Sequence, residues 1–81
     1  MTLRVQLYAR ARDLAGASVL IVEVPVGGTV ADLRRRLAAQ VPALAGLLER
    51  SALAVDGDFA ADARVLHELA EVALLPPVSG G

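Results

Sequence analysis

Leu3, Val5 and Leu7 alternate with Arg4, Gln6 and Tyr8, a period of two that predicts a half-buried strand. The stretch from Ala9 to Gly16, with Gly16 suited to a stop or turn, leads to the apolar run Ser18 to Val24, which Pro25 closes. That run reads as a second strand, hairpinned to the first. Gly27 and Gly28 make a loop, and Thr29 followed by Asp32 reads as a helix start, with a hydroxyl to cap backbone N–H groups and an acid in the first turn. The helix is expected over Val30 to Gln40. Val30, Leu33, Leu37 and Val41 recur at helical spacing as its buried stripe, while Arg34, Arg35 and Arg36 cover solvated faces. Pro42 ends it. A short helical piece from Ala43 to Arg50 precedes a strand, Leu53 to Val55, closed by the turn signal Asp56-Gly57. Phe59 is expected to pin the following loop to the core. Val72 and Leu74 alternate with Ala73 and Leu75 in a final strand that runs straight into Pro76 and Pro77. The order β-β-α-β-β predicts an α+β domain with one main helix packed across one face of a mixed sheet.

The whole chain is 81 residues, a size at which a single domain buries about 60 to 65% of the surface its unfolded chain exposes. Hydrophobic residues make up 56%, and Tyr8 and Phe59 are the only aromatics, so the core is aliphatic and nucleotide bases have no aromatic platform. The formal net charge is −1 and every basic residue is an arginine, which argues against a sequence-independent grip on nucleic acid. Lysine is absent, so no side chain can receive an isopeptide. Cysteine is absent too, which excludes disulfides, thiolate catalysis and cysteine-ligated metals. Arg4, Gln6, Arg10 and Arg12 interrupt any apolar leader, and no run approaches the ~18 residues of a membrane span. The expectation is a soluble, cytoplasmic protein with no membrane partner.

Conventional catalysis finds little material. His67 is the sole histidine, no sequence pattern sets it beside a serine and an acid, and a surface or packing role accounts for it. Asp56 and Asp58 flank Gly57, but a calcium loop needs several further oxygen ligands, so a β-turn is the better reading. Arg34 to Arg36 could bind an anion, but three adjacent residues splay over most of a helix circumference, so a solvated face is the better reading. These residues supply no metal and no cofactor-binding set.

The end of the chain offers different chemistry. Residues 1–75 read as the folded domain and 76–81 as an extended tail of Pro76, Pro77, Val78, Ser79, Gly80 and Gly81. The prolines fix φ near polyproline II, and glycines lack the Cβ that would bar them from a narrow channel. From Pro77 to Gly81 an extended chain reaches about 16 Å. In this reading the protein is the reactant. A carboxylate is a poor electrophile, so the Gly81 carboxylate must be activated, as an acyl-adenylate formed from ATP. Sulfur can then attack to give a thiocarboxylate, or a thiol to give a thioester. The bland alternative is a frayed terminus.

Leu74 to Gly81, LLPPVSGG, resembles the terminus of the small, sulfur-carrying subunit of molybdopterin synthase, a ubiquitin-like β-grasp family. Tyr8-Ala9 followed by Arg12-Asp13 and Gly16 resembles that family's aromatic-Ala, Arg-acid and Gly pattern, and Ala54-Val55-Asp56-Gly57 resembles its strand before a tight turn. The resemblance covers essentially the whole chain. It implies a ubiquitin-like β-grasp fold with a flexible Gly-Gly tail, and a carrier with no active site of its own. An E1-like adenylating enzyme would activate Gly81 with ATP, and a sulfurtransferase system would convert it to a thiocarboxylate. The large catalytic subunit of a heterotetrameric synthase would then accept the tail, and sulfur would pass to a pyranopterin precursor. His67 to Glu71, HELAE, departs from the family, which carries an acidic, Gly-containing turn there; a short helical turn is expected instead.

Strand parity adds a claim about the partner surface. Val5, Leu7, Val72 and Leu74 point toward the helix, which leaves Tyr8 and Leu75 on the other side of the sheet. First and last strands are neighbours in a β-grasp, so these two form a patch beside the tail. Core packing is the alternative. Two other functions share the activation chemistry: a sulfur carrier of another pathway, such as thiazole synthesis, and a ubiquitin-like modifier attached to lysines of other proteins. An ordinary interaction domain with an incidental tail is a third.

Overall fold

The computed structural model describes residues 1–77. Val78, Ser79, Gly80 and Gly81 lie outside the described residues. Five strands form one mixed sheet: β1 (Thr2–Leu7), β2 (Val19–Glu23), β3 (Ala52–Val55), β4 (Asp58–Phe59) and β5 (Glu71–Leu75), in the spatial order β2-β1-β5-β3-β4. The first and last strands lie side by side and parallel, with Val5 opposite Val72 and Leu7 opposite Leu74. The other pairings are antiparallel.

The helices are α1 (Ala9–Ala15), α2 (Val30–Gln40) and α3 (Ala45–Leu48), the last continuing a 3₁₀ turn, Pro42–Leu44. The segment expected only to turn between the first two strands is therefore a helix. It buries a single residue, Ala11, and ends at Gly16, so its sequence shows no stripe for periodicity to detect. The expected β1–β2 pairing holds, joined through this helix rather than a tight turn. The piece placed at Ala43 to Arg50 is the 3₁₀ turn and α3, and buries Leu44, Leu47 and Leu48.

Helix α2 has the expected bounds. The Thr29 backbone N–H donates to Asp32 Oδ2 at 2.8 Å, and the Asp32 N–H donates to Thr29 Oγ1 at 3.3 Å, a reciprocal capping box. The loop after β4 satisfies two more helix donors: Val30 N–H reaches Arg64 O, and Ala31 N–H reaches Asp62 O, both at 3.0 Å. Before the helix, Gly28 is required by close approach. A Cβ there would lie 2.7 Å from Val24 Cγ1 and 2.8 Å from Pro25 O.

Val30, Leu33 and Leu37 of α2 are fully buried against the inward residues of the sheet, Leu3, Val5 and Leu7, Leu53 and Val55, Val72 and Leu74. Burying each such side chain contributes about 1.5 to 3 kcal/mol. Val41 is only half-buried. Arg34 does not lie on a solvated face: its guanidinium donates to Leu48 O, to Ser51 O at 2.9 Å and to Asp62 Oδ1 at 2.9 Å. One arginine of the three therefore ties α2 to the end of α3 and to the loop after β4, because helical rotation aims it at those carbonyls. Arg35 and Arg36 are exposed.

Candidate functional site

The tail is rooted in the middle of the sheet. Leu74 is fully buried in β5, Leu75 and Pro76 are half-buried, and Pro77 is exposed. With β1 and β3 on either side of β5, the last strand is held by backbone hydrogen bonds along both edges. Ala52 of β3 pairs with Leu75, so pairing continues to the residue before Pro76. The two prolines cannot donate further ladder bonds. Pairing ends where they begin.

Tyr8 follows β1, one rung beyond the Leu7–Leu74 pair and so level with Leu75. It is 43% exposed, and its hydroxyl donates to Gln6 Oε1 at 2.6 Å, which fixes the ring along the outer side of β1. Its backbone is extended, while Ala9 beside it adopts φ 49°. The left-handed region is uncommon for alanine, and this turn is what swings α1 away from β1 across the end of β5. The parity expectation therefore agrees with the structure: Val5, Leu7, Val72 and Leu74 are buried, and Tyr8 and Leu75 are not.

Phe59 corrects an expectation. It is 76% exposed and pins nothing to the core; buried Leu66, further along, closes that side instead. Asp56 and Gly57 both have positive φ, 52° and 86°, in a two-residue turn between Val55 and its partner Asp58, the mirror-image turn that Asp-Gly favours. The turn sets Phe59 opposite Ala54, on the outer face. A cross-strand row of Phe59, Ala54, Ala73 and Gln6 results. A shallow groove of about 360 Å³ lies over Gln6, Ala54 and Ala73, walled by Leu69. Phe59, Tyr8 and Leu75 thus frame one side of the sheet.

The residues weighed for chemistry fall elsewhere. His67 Nε2 lies 2.6 Å from Asp56 Oδ2, a pairing across eleven residues that no local pattern signals. Asp56 Oδ1 accepts the Glu71 N–H at 2.9 Å. Among the described residues no group of three or more His, Asp or Glu could hold a metal ion, and no helix is long and apolar enough to cross a membrane.

The profile of the ThiS family matches residues 5–81. The chain belongs to the ThiS family. It is 32% identical over 79 residues to the molybdopterin synthase sulfur carrier subunit of Arabidopsis thaliana, covering 98% of this chain and 82% of that one. Among solved structures, SAMP1 from Haloferax volcanii superposes with a TM-score of 0.89 at 28% identity, with each chain covered in full. The complex of subunits 1 and 2 of the molybdopterin-converting factor from Helicobacter pylori contains a chain of the same fold, with a TM-score of 0.71 at 20% identity and both chains fully covered. The fold is the ubiquitin-like β-grasp.

Within this ThiS-family fold the HELAE segment resolves differently from expectation. It is a single β-turn closed by Ala70 N–H donating to His67 O at 3.1 Å, not a turn of helix. Leu69 keeps a negative φ, so no glycine is needed. The His67 ring stabilises the turn by accepting the Leu69 N–H at Nδ1, 3.3 Å away. With Nδ1 accepting, the neutral ring carries its proton on Nε2 and donates it to Asp56.

The Asp56 carboxyl is held below its ordinary range, first by the Glu71 N–H and then by His67. Asp32 is lowered likewise, by the Thr29 N–H and by Arg35. A carboxyl lowered by folding stabilises the domain above its unfolded pKa of about 4, and that contribution disappears as pH falls through the folded value. Thermal midpoints are therefore expected to fall on acidification from about pH 5 to about pH 3. Asp56→Asn keeps the accepting oxygen and tolerates positive φ, so its stability gap to the wild type should narrow over that window. A gap of constant size would show that the charge contributes nothing.

Proposed function

We propose that this chain is the sulfur carrier subunit of a molybdopterin synthase, with Gly81 as the group that carries sulfur. The observation that supports this most is β5, a fully paired central strand that runs directly into Pro-Pro-Val-Ser-Gly-Gly. A relative 32% identical bears that function in its name. In this reading an E1-like enzyme joins the Gly81 carboxylate to the α-phosphate of ATP and releases pyrophosphate. Sulfide supplied by a sulfurtransferase system then attacks the acyl carbon, the C–O bond to AMP breaks, AMP leaves with the electron pair, and loss of the sulfur-bound proton leaves the thiocarboxylate. ATP binds the activating enzyme, and this chain binds no cofactor of its own. The thiocarboxylated tail enters the large catalytic subunit, whose side chains complete the transfer to the pterin precursor. Complex formation between subunits 1 and 2 of the Helicobacter pylori factor fits this arrangement. The Tyr8, Leu75 and Phe59 side of the sheet meets the partner.

The deciding experiment incubates the full chain with its activating enzyme, ATP and a sulfur donor, and locates the sulfur by mass spectrometry of the C-terminal peptide. Localisation matters because replacing oxygen by sulfur nearly equals oxidation of Met1. Sulfur on Gly81 is the expected result, and its absence with a competent donor system removes the carrier reading.

A second reading rests on the similarity to SAMP1, the small archaeal modifier protein 1, of Haloferax volcanii. A modifier would be joined through Gly81 to lysines of other proteins. Amide-linked conjugates that persist under thiol reduction and carry the Gly81 peptide would favour it.

A further inference from the structure

Both readings activate the same carboxylate, and an activated acyl group reacts with whatever amine or thiol it meets first. The nearest source is the carrier itself, present at the carrier's own concentration. All eight basic residues are arginines, and the 81 residues contain neither lysine nor cysteine. Arginine is not an acceptor, because its guanidinium stays protonated. Within these 81 residues the one primary amine is then the α-amine of Met1.

The fold constrains that amine in two ways. Met1 continues the β1–β2 ladder beyond the named strands: its ammonium donates to Val24 O at 2.6 Å, and Val24 N–H donates back to Met1 O at 2.8 Å. Met1 is half-buried and packs against the core. The second constraint is direction. Because β1 and β5 are parallel, Met1 stands at the end of the sheet opposite the one from which the tail departs. Seven strand residues separate Met1 from the level of Tyr8 and Leu75, about 23 Å. Residues 76–81 span about 20 Å at full extension, so a tail doubled straight back along the sheet falls short of the amine.

We infer that this chain is an acyl donor with no acceptor of its own, so that transfer through Gly81 attaches one copy and stops. The inference rests on Gly81 being the activated residue, as either reading requires. For a sulfur carrier, the activated form persists beside other copies without self-conjugation. For a modifier, each target lysine receives a single unit and chains do not grow. The excluded step is aminolysis: the amine nitrogen attacks the Gly81 acyl carbon, the bond to the leaving thiol breaks with its electron pair on sulfur, and the amine releases a proton to water.

The test uses the full chain prepared as a Gly81 thioester of mercaptoethanesulfonate and held at high protein concentration at mildly basic pH. Intact-mass analysis should find hydrolysis to the free acid, without cyclic monomer or amide-linked dimer. Arg36→Lys places an amine on an exposed position of α2 and should yield dimers under the same conditions. In parallel, a water-soluble acetylating ester should label Met1 roughly tenfold more slowly in the folded chain than in urea, since a charge-assisted hydrogen bond must first break. Amide formed at Met1 in the wild type, equal labelling rates, or no additional dimer from Arg36→Lys would each overturn the inference. None of these outcomes depends on the activating enzyme, so failure here is distinguishable from failure of Gly81 to acquire sulfur.

Discussion

Gly81→Val is expected to lose sulfur loading and transfer by about a hundredfold or more, the scale on which small misplacements of a reacting group act, while its thermal midpoint stays at the wild-type value. Every buried apolar side chain of the described core lies at or before Leu74. The ladder on β5 closes with the Ala52–Leu75 pair. Position 81 lies six residues beyond that pair and outside the described residues, and under the proposed function the substitution places a branched side chain on the residue that would enter an activating site. Deleting Gly81 should abolish loading altogether while leaving the domain folded. The measurement pairs differential scanning calorimetry of the free domain with thiocarboxylate formation on the C-terminal peptide. A midpoint lowered by several degrees would mean that the tail packs as structure, and loading at the wild-type rate would mean that Gly81 is not the carrier residue.

Tyr8→Ala and Leu75→Ala should each weaken binding to the large synthase subunit by roughly 30-fold or more, as truncation of an interface anchor at about 2 kcal/mol does. Both side chains stand beside the root of the tail, Tyr8 at 43% exposure and Leu75 half-buried. The free domain should lose less than the roughly 2 to 5 kcal/mol that follows truncation of a fully buried leucine. Leu74→Ala supplies that comparison, since Leu74 is fully buried one residue away. Titration calorimetry against the large subunit and denaturant unfolding of the free variants separate the two effects. Unfolding of the free domain by both variants would reassign Tyr8 and Leu75 to the core, and unchanged affinity would leave recognition to the tail alone.

Local chemistry made much of this fold legible in the sequence. Alternation in β1 and β5 depends only on the two-residue period of a strand beside a buried face. The capping box and the Val30, Leu33, Leu37 stripe depend on helical geometry within a few residues. The outward position of Phe59 is legible by the same means. A two-residue Asp-Gly turn sets 55 opposite 58 and 54 opposite 59, so parity puts Phe59 on the side away from Leu53 and Val55. Size and hydrophobicity alone suggest the core, and they mislead. Helix α1 could not be found by periodicity, because it buries one alanine against the end of the sheet and exposes most of its surface.

What the sequence by itself determined was the composition on which the proposed chemistry rests: a final strand followed by two prolines, the pair Gly80-Gly81, and 81 residues without lysine or cysteine. These are covalent facts, and no fold alters them. Tertiary structure alone decided which distant groups meet. Arg34 reaches carbonyls at 48 and 51, and His67 finds Asp56, because chain crossings bring together residues that no local period relates. Tertiary structure also set the direction of the molecule. The parallel pairing of β1 with β5 puts the amine at one end of the sheet and the departing tail at the other, a relation that depends on how two strands far apart in the chain pair and on nothing within either of them.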